Sequence, residues 1–304
     1  MKEYKATFNL NASVESCWDA WTKDDVIAQW LGIVSKGSNS DDFCLSCAMP
    51  YLSGRHQLIS SEHHKFLKFT WYIQGCPSEL SIKFEPTKSG TKLSIDHTLT
   101  IESASKSLDP LHRADQKCYY LGQWWSSYLP KLRCLLEDNE QGVLISEANN
   151  GHHIDLQVDI KSSSKKIYDA LLDVKQLLKW CDGLCMEGTK VVPEVGGYYS
   201  YGWYPEGTDH KDMKDGPSKV LALEHNSLLT INWHGGQQIA EVSWKLEDLG
   251  DGTTRVHFTH SPLLGHTTGN VWSYRYGWAE TLYALKWFIE RGEVPEDWQH
   301  QAKT

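Results

Sequence analysis

The chain has 304 residues, with 39 acidic against 30 basic side chains and a formal net charge of −9. That length suits two ordinary domains better than one core, and an acidic balance without any Lys/Arg-rich run excludes a protein that tracks nucleic-acid phosphates. No segment approaches the roughly 18 consecutive apolar residues of a membrane span, and Met1 to Phe8 has no apolar export signal, so a cytoplasmic chain with its eight cysteines reduced is expected.

In chain order, Lys5 to Leu10 alternates as a short strand, and two short helical patterns follow from Ala12 to Trp30, the second ending in tryptophan. Cys44 and Cys47 have zinc-like spacing, with His63, His64 and Cys76 beyond them. No second close cysteine pair follows, however, and an extended segment would set Cys44 and Cys47 on opposite faces, so no metal site is expected. Leu80 to Phe84 and Thr91 to His97 form a hairpin around Pro86 to Gly90. A long amphipathic helix then carries Trp125, Leu129, Leu132 and Leu136 on one face. Pro130 lies within it and should kink it or delay its start.

The boundary falls between residues 139 and 151, giving domains 1–140 and 151–304. The second half then repeats the first. Ser162 to Trp180 follows the strand Ile154 to Ile160 and matches Ala12 to Trp30 without a gap, and Val242 to Leu246 pairs with Val256 to His260 around Gly250-Asp251-Gly252. The closing helix carries Trp278, Leu282, Leu285 and Ile289. Cys181 and Cys185 have helical spacing, but Asp182-Gly183 makes a turn the better expectation than a redox pair. The polar stretch Pro205 to Gly216, longer than any counterpart in the first half, is either a lid or a solvated hairpin tip.

The paired helices, Gly196-Gly197-Tyr198-Tyr199, Leu229 to Trp233 and the hairpin from Gly252 to His260 together resemble the helix-grip superfamily of START-related and birch-pollen-allergen-like domains. The likeness is to the branch named for the activator of the heat-shock-protein-90 ATPase. The first half keeps the helix pair, Phe69-Thr70-Trp71 and the Gly90-Thr91 hairpin. The resemblance implies an α+β fold in two tandem copies, each a curved antiparallel sheet around a long C-terminal helix with two short helices after its first strand. It also implies a cavity between sheet and helix that in many relatives holds an apolar or aromatic small molecule.

Strand alternation, independently of the resemblance, puts Tyr199, Tyr201 and Trp203 on one face, as it does Leu229, Ile231 and Trp233, then Val242, Trp244 and Leu246, then Val256, Phe258 and His260. With Trp278 and Leu282 opposite, these residues frame either a pocket or a very aromatic core. The 14 Trp and 14 Tyr of the chain favour the pocket, because crowded indoles and phenols carry donors that need partners. Trp71, His97 and Trp125 are the first-half counterparts, and His97 and His260 occupy equivalent positions. The leading expectation is a non-enzymatic binder of a small apolar or aromatic molecule, chiefly in the second domain and without a cofactor. A cyclase- or isomerase-type enzyme with His260 transferring protons, and a co-chaperone-like module with a protein partner, are the alternatives.

Overall fold

The computed structural model describes residues 2–36, 42–46, 54–73, 76–99, 114–145, 153–181, 184–204, 215–235, 238–263 and 268–299. The chain divides into two compact units, Met1–Gly142 and Val143–Thr304. The first contains β1 (Lys2–Leu10), α1 (Val14–Thr22), α2 (Asp24–Trp30), β2 (Ile33–Lys36), β3 (Asp42–Ser46), β4 (Gly54–Glu62), β5 (Phe66–Ile73), β6 (Cys76–Pro86), β7 (Thr91–Leu99) and α3 (Ala114–Arg133). Its strands form one antiparallel sheet in the order β1-β7-β6-β5-β4-β3-β2. The period of two shows directly in β7, where Thr91, Leu93, Ile95, His97 and Leu99 are buried and their alternates half-buried.

The second unit contains β8 (Leu144–Ile145), β9 (Ile154–Ile160), α4 (Ser164–Leu172), α5 (Val174–Trp180), β10 (Lys190–Val191), β11 (Tyr199–Ser200), β12 (Asp215–Glu224), β13 (Leu228–Gly235), β14 (Gln238–Asp248), β15 (Thr254–Ser261), α6 (Thr268–Arg291) and α7 (Glu296–Gln299). Six strands form the sheet β12-β13-β14-β15-β9-β8, and β10 pairs with β11 apart from it. The architecture is α+β, with a curved antiparallel sheet and a long C-terminal helix in each copy. Among the described residues no helix is long and apolar enough to cross a membrane.

The repeat is chemical as well as topological. Ser13 caps α1 by accepting the Ser16 N–H at 3.0 Å, and Ser163 caps α4 through Lys166. At the end of each helix pair an indole folds back, Trp30 donating to the Ala20 carbonyl at 2.8 Å and Trp180 to that of Ala170 at 3.0 Å. The long helices are stapled to the first strand of their own sheet. In the first unit Arg133 donates to the Asn9 carbonyl at 2.9 Å and Glu137 accepts the Asn11 N–H at 3.1 Å. In the second, Lys286 donates to the Asp159 carbonyl at 2.9 Å and Glu290 accepts the Lys161 N–H at 2.7 Å.

Three sequence expectations change in detail. Of the two expectations for Pro130, a delayed start is overturned, since α3 begins at Ala114, runs through the proline and passes into a π-helical turn at Cys134–Asp138. The run from Tyr199 to Trp203 is a strand only at Tyr199–Ser200, because Gly202 takes φ +85° where its Cα approaches Gly188, and a Cβ there would lie 2.8 Å from the Gly188 carbonyl carbon. The polar alternates of β13 are buried too. Asn232 turns its amide oxygen to the Ser218 and Lys219 N–H groups at 3.1 and 2.7 Å, satisfying backbone that an irregularity in β12 leaves unpaired.

Candidate functional site

In the second unit β13, β14 and β15 place Trp233, Trp244, Phe258 and His260 on the buried face, each no more than 3% exposed. From α6, Trp278 enters among them, its ring centroid 5.0 Å from that of Trp233, 4.6 Å from Phe258 and 5.8 Å from Trp244. Leu282, one helical turn on, is fully buried. Tyr201 and Trp203 extend the cluster through ring contacts with Trp233, and Tyr199 through Tyr201. The structure therefore brings the sequence-assigned residues together, ring against ring.

Most of their polar groups bond within the unit. The Trp278 indole donates to His260 Nδ1 at 3.0 Å, Trp233 and Tyr274 both donate to Asp215 Oδ1 at 2.7 and 3.0 Å, and Tyr199 donates to the Leu171 carbonyl at 2.9 Å. Trp203, partly exposed, donates to the Leu184 carbonyl. Of these four indoles, only that of Trp244 is without an acceptor. The inference that crowded aromatic donors would need a ligand is therefore corrected: protein acceptors already meet most of them. Burial also pushes the Tyr199 and Tyr201 hydroxyls far above the ordinary phenol range, holding both as neutral donors.

The first unit repeats the tryptophan–histidine bond. Trp125 donates to His97 Nδ1 at 3.1 Å, which leaves the proton on Nε2 to be donated to Ser78 Oγ at 2.8 Å, and Ser78 in turn donates to the Trp71 carbonyl at 2.7 Å. In the second unit Ala240 stands at the position of Ser78, two residues before the strand partner of the histidine, so this relay is particular to the first. Burial, and then the neighbouring His56, push the His97 imidazole down to about 3. Since the unfolded chain takes up this proton near pH 6.5 and the folded chain only near 3, stability conferred by His97 is complete above pH 6.5 and declines as pH falls towards 3. We expect this group to cost about 1.4 kcal/mol per pH unit through that window. Urea unfolding at stepped pH checks it: His97→Gln should flatten the slope by about one proton, and an unchanged slope would show that His97 is not buried neutral.

Sequence reasoning missed a cavity of about 120 Å³ in the first unit. Trp21 and Ile27 wall it from the helix pair, and Phe43, Leu58, Leu67 and Phe69 from the sheet. Lys36 and Asp24 meet at its rim in an ion pair of 2.8 Å, about half exposed. The alternation of Leu67, Phe69 and Trp71 was the available signal. Phe43, by contrast, lies on β3, a short strand outside the segments in which the two halves match in sequence. Trp71 sits nearby, stacked on His56 at 3.8 Å and 6.3 Å from Phe43.

The other sequence candidates do not assemble. Cys44 is exposed on β3, Cys47 and the Cys76 side chain lie outside the described residues, and His63 stacks on His64 in the β4–β5 turn. Among the described residues no three His, Cys, Asp or Glu side chains gather as metal ligands. Cys181 and Cys185 are buried and not joined as a disulfide, and the Cys185 N–H donates to the Cys181 carbonyl at 2.8 Å. Residues 205–214 of the lid candidate are outside the described residues.

A duplicated sheet and long helix, with the paired short helices in each copy, define a tandem helix-grip protein. The family model for activator of Hsp90 ATPase homolog 1-like protein matches residues 11–137 and again 161–290, so the chain belongs to that family and carries two copies of its domain. Among solved structures, DynU16 from the dynemicin biosynthetic locus is 16% identical over 96% of this chain and 99% of its own, with a TM-score of 0.39. The Aha1 dimer of Colwellia psychrerythraea is 28% identical over 47% of this chain and 98% of its own, with a TM-score of 0.38. CalU16 of Micromonospora echinospora is 20% identical over 50% and 81%, with a TM-score of 0.36. A comparison with curated proteins found no match.

Proposed function

We propose that the protein binds a small apolar or aromatic molecule without transforming it, and that the cavity of the first unit is the site. One observation carries this reading: a pocket of about 120 Å³ walled mainly by aromatic and aliphatic side chains, with Thr22, Asp24 and Lys36 also lining it. Apolar cavities of about 150 Å³ accept benzene, so the size suits a single ring or a short branched chain. In the second unit Trp278 fills the space between sheet and long helix, as Trp125 does in the first, and a ligand there would have to displace its indole from four neighbouring rings. The helix-grip fold of the family fits a ligand-binding or a cyclase-like module. The binding form is favoured because both equivalent histidines spend Nδ1 on an indole N–H.

The test is calorimetric titration with a panel of monocyclic aromatic and short aliphatic compounds, compared between the native chain and Leu58→Phe. Added ring volume at the cavity wall should weaken binding at least tenfold, about 1.4 kcal/mol. Equal affinity in the variant would remove the site from this cavity, and a flat titration across the whole panel would sink the binding reading itself.

A further inference from the structure

The cavity of the first unit has charged groups at its rim that ligand atoms can reach. Asp24 and Lys36 both line it, and their side chains, 43% and 56% exposed, meet in an ion pair of 2.8 Å. The second copy shows that the helix pair folds without this polarity. In the ungapped match of Ala12–Trp30 to Ser162–Trp180, the lining residues Thr22 and Asp24 correspond to Leu172 and Val174. The helix cap differs in step. Asp173 caps α5 by accepting the Lys175 N–H at 2.9 Å, whereas α2 follows Lys23 and has no side-chain cap. The carboxylate of the first copy stands one residue later, where it meets Lys36 beside the cavity.

The two partners of the pair are not equally fixed. Asp24 projects on a short stem from the first turn of α2, whereas Lys36 ends the edge strand β2 and carries its ammonium on a long, flexible stem. An exposed pair of this kind contributes little stability, so a competing ion can open it, and the lysine is the partner that swings away. What remains is a carboxylate beside a cavity to which Trp21, Phe43 and Phe69 contribute aromatic rings, and aromatic faces attract cations. We propose that Asp24 is the counter-ion for a protonated amine, that the ligand of this cavity is a small aromatic or aliphatic amine, and that Lys36 is its tethered competitor. This deepens the binding reading given above and rests on it.

Toluene, benzylamine and phenylacetate carry the same ring with no charge, a positive charge and a negative one at neutral pH, and calorimetric titration of the full chain with each is the test. Benzylamine should bind more tightly than phenylacetate. In Asp24→Asn its affinity should fall roughly three- to fivefold, the range of one exposed charge pair, with toluene unchanged within about twofold. Asp24→Val, which installs the apolar residue of the second copy, should act alike and guards against a folding defect in the first variant. Lys36→Met should instead raise benzylamine affinity by roughly two- to threefold, because the competitor is gone. Opposite signs are the signature, since an ion pair that only shapes the rim would give both substitutions the same sign. Effects of one sign, or a phenylacetate preference that Lys36→Met abolishes, would overturn the counter-ion role while toluene binding left the cavity reading standing. Equal affinity of the native chain for all three probes would do the same. If none of the three binds, the cavity is not a site for molecules of this class and the inference falls with it.

Discussion

Replacing Glu290 with alanine should lower the stability of the second unit by about 3–5 kcal/mol, the usual effect of removing one partner from a buried ion pair. Lys286 has a side chain only 1% exposed and Glu290 one of 12%, and the ammonium lies 2.7 Å from the carboxylate. The same carboxylate oxygen takes the Lys161 N–H, so its loss strands a buried cation and a backbone donor at once. Urea unfolding, read through amide exchange in residues 143–304, should show a lower midpoint with an unchanged slope. A loss below about 1 kcal/mol would mean that the staple behaves as a surface pair. Glu137→Ala should cost less, since the Arg133–Glu137 separation is 3.6 Å. The double change Lys286→Met with Glu290→Leu should recover most of the stability, because apolar replacements of both partners leave no charge uncompensated.

Trp278→Ala is expected to cost a similar 3–5 kcal/mol, the range for truncating a buried indole. The side chain is 3% exposed and in ring contact with Trp233, Trp244, Phe258 and His260. Its removal also takes the donor from His260 Nδ1. The void has the shape of the lost side chain, so millimolar indole should raise the melting temperature of the variant and leave the native chain unchanged. Melting curves with and without indole decide the matter: a variant as stable as the native protein would show that this chamber is not a packed core, and would return it to candidacy as a pocket.

Several features of this molecule are legible without coordinates because they depend on local spacing. The ungapped match of Ala12–Trp30 to Ser162–Trp180 fixes the duplication, and it reappears as matching caps and matching indole-to-carbonyl bonds. Alternation by two assigns the buried faces of β14 and β15 and the aromatic face of β13, whose other face is buried as well, and the helical period turns Trp278 and Leu282 inward. The equivalence of His97 and His260 follows from the same counting. What each histidine does is not in the count, since its indole partner arrives from a helix that follows the strand in sequence.

The amino-acid sequence alone determined the duplication, the helix pair, hairpin and long helix of each copy and most of the inward-facing residues of the second, because hydrophobic periodicity and cap chemistry act over a few residues. Only the tertiary structure decided which inward-facing surface is filled. In the second unit the rings close on one another and on Asp215, His260 and backbone carbonyls. In the first, the short strand β3 and the helix pair leave a space between Trp21 and Phe43. Whether side chains fill a concave face depends on volumes and acceptors supplied from distant parts of the chain, and neither is encoded in the spacing along any one strand.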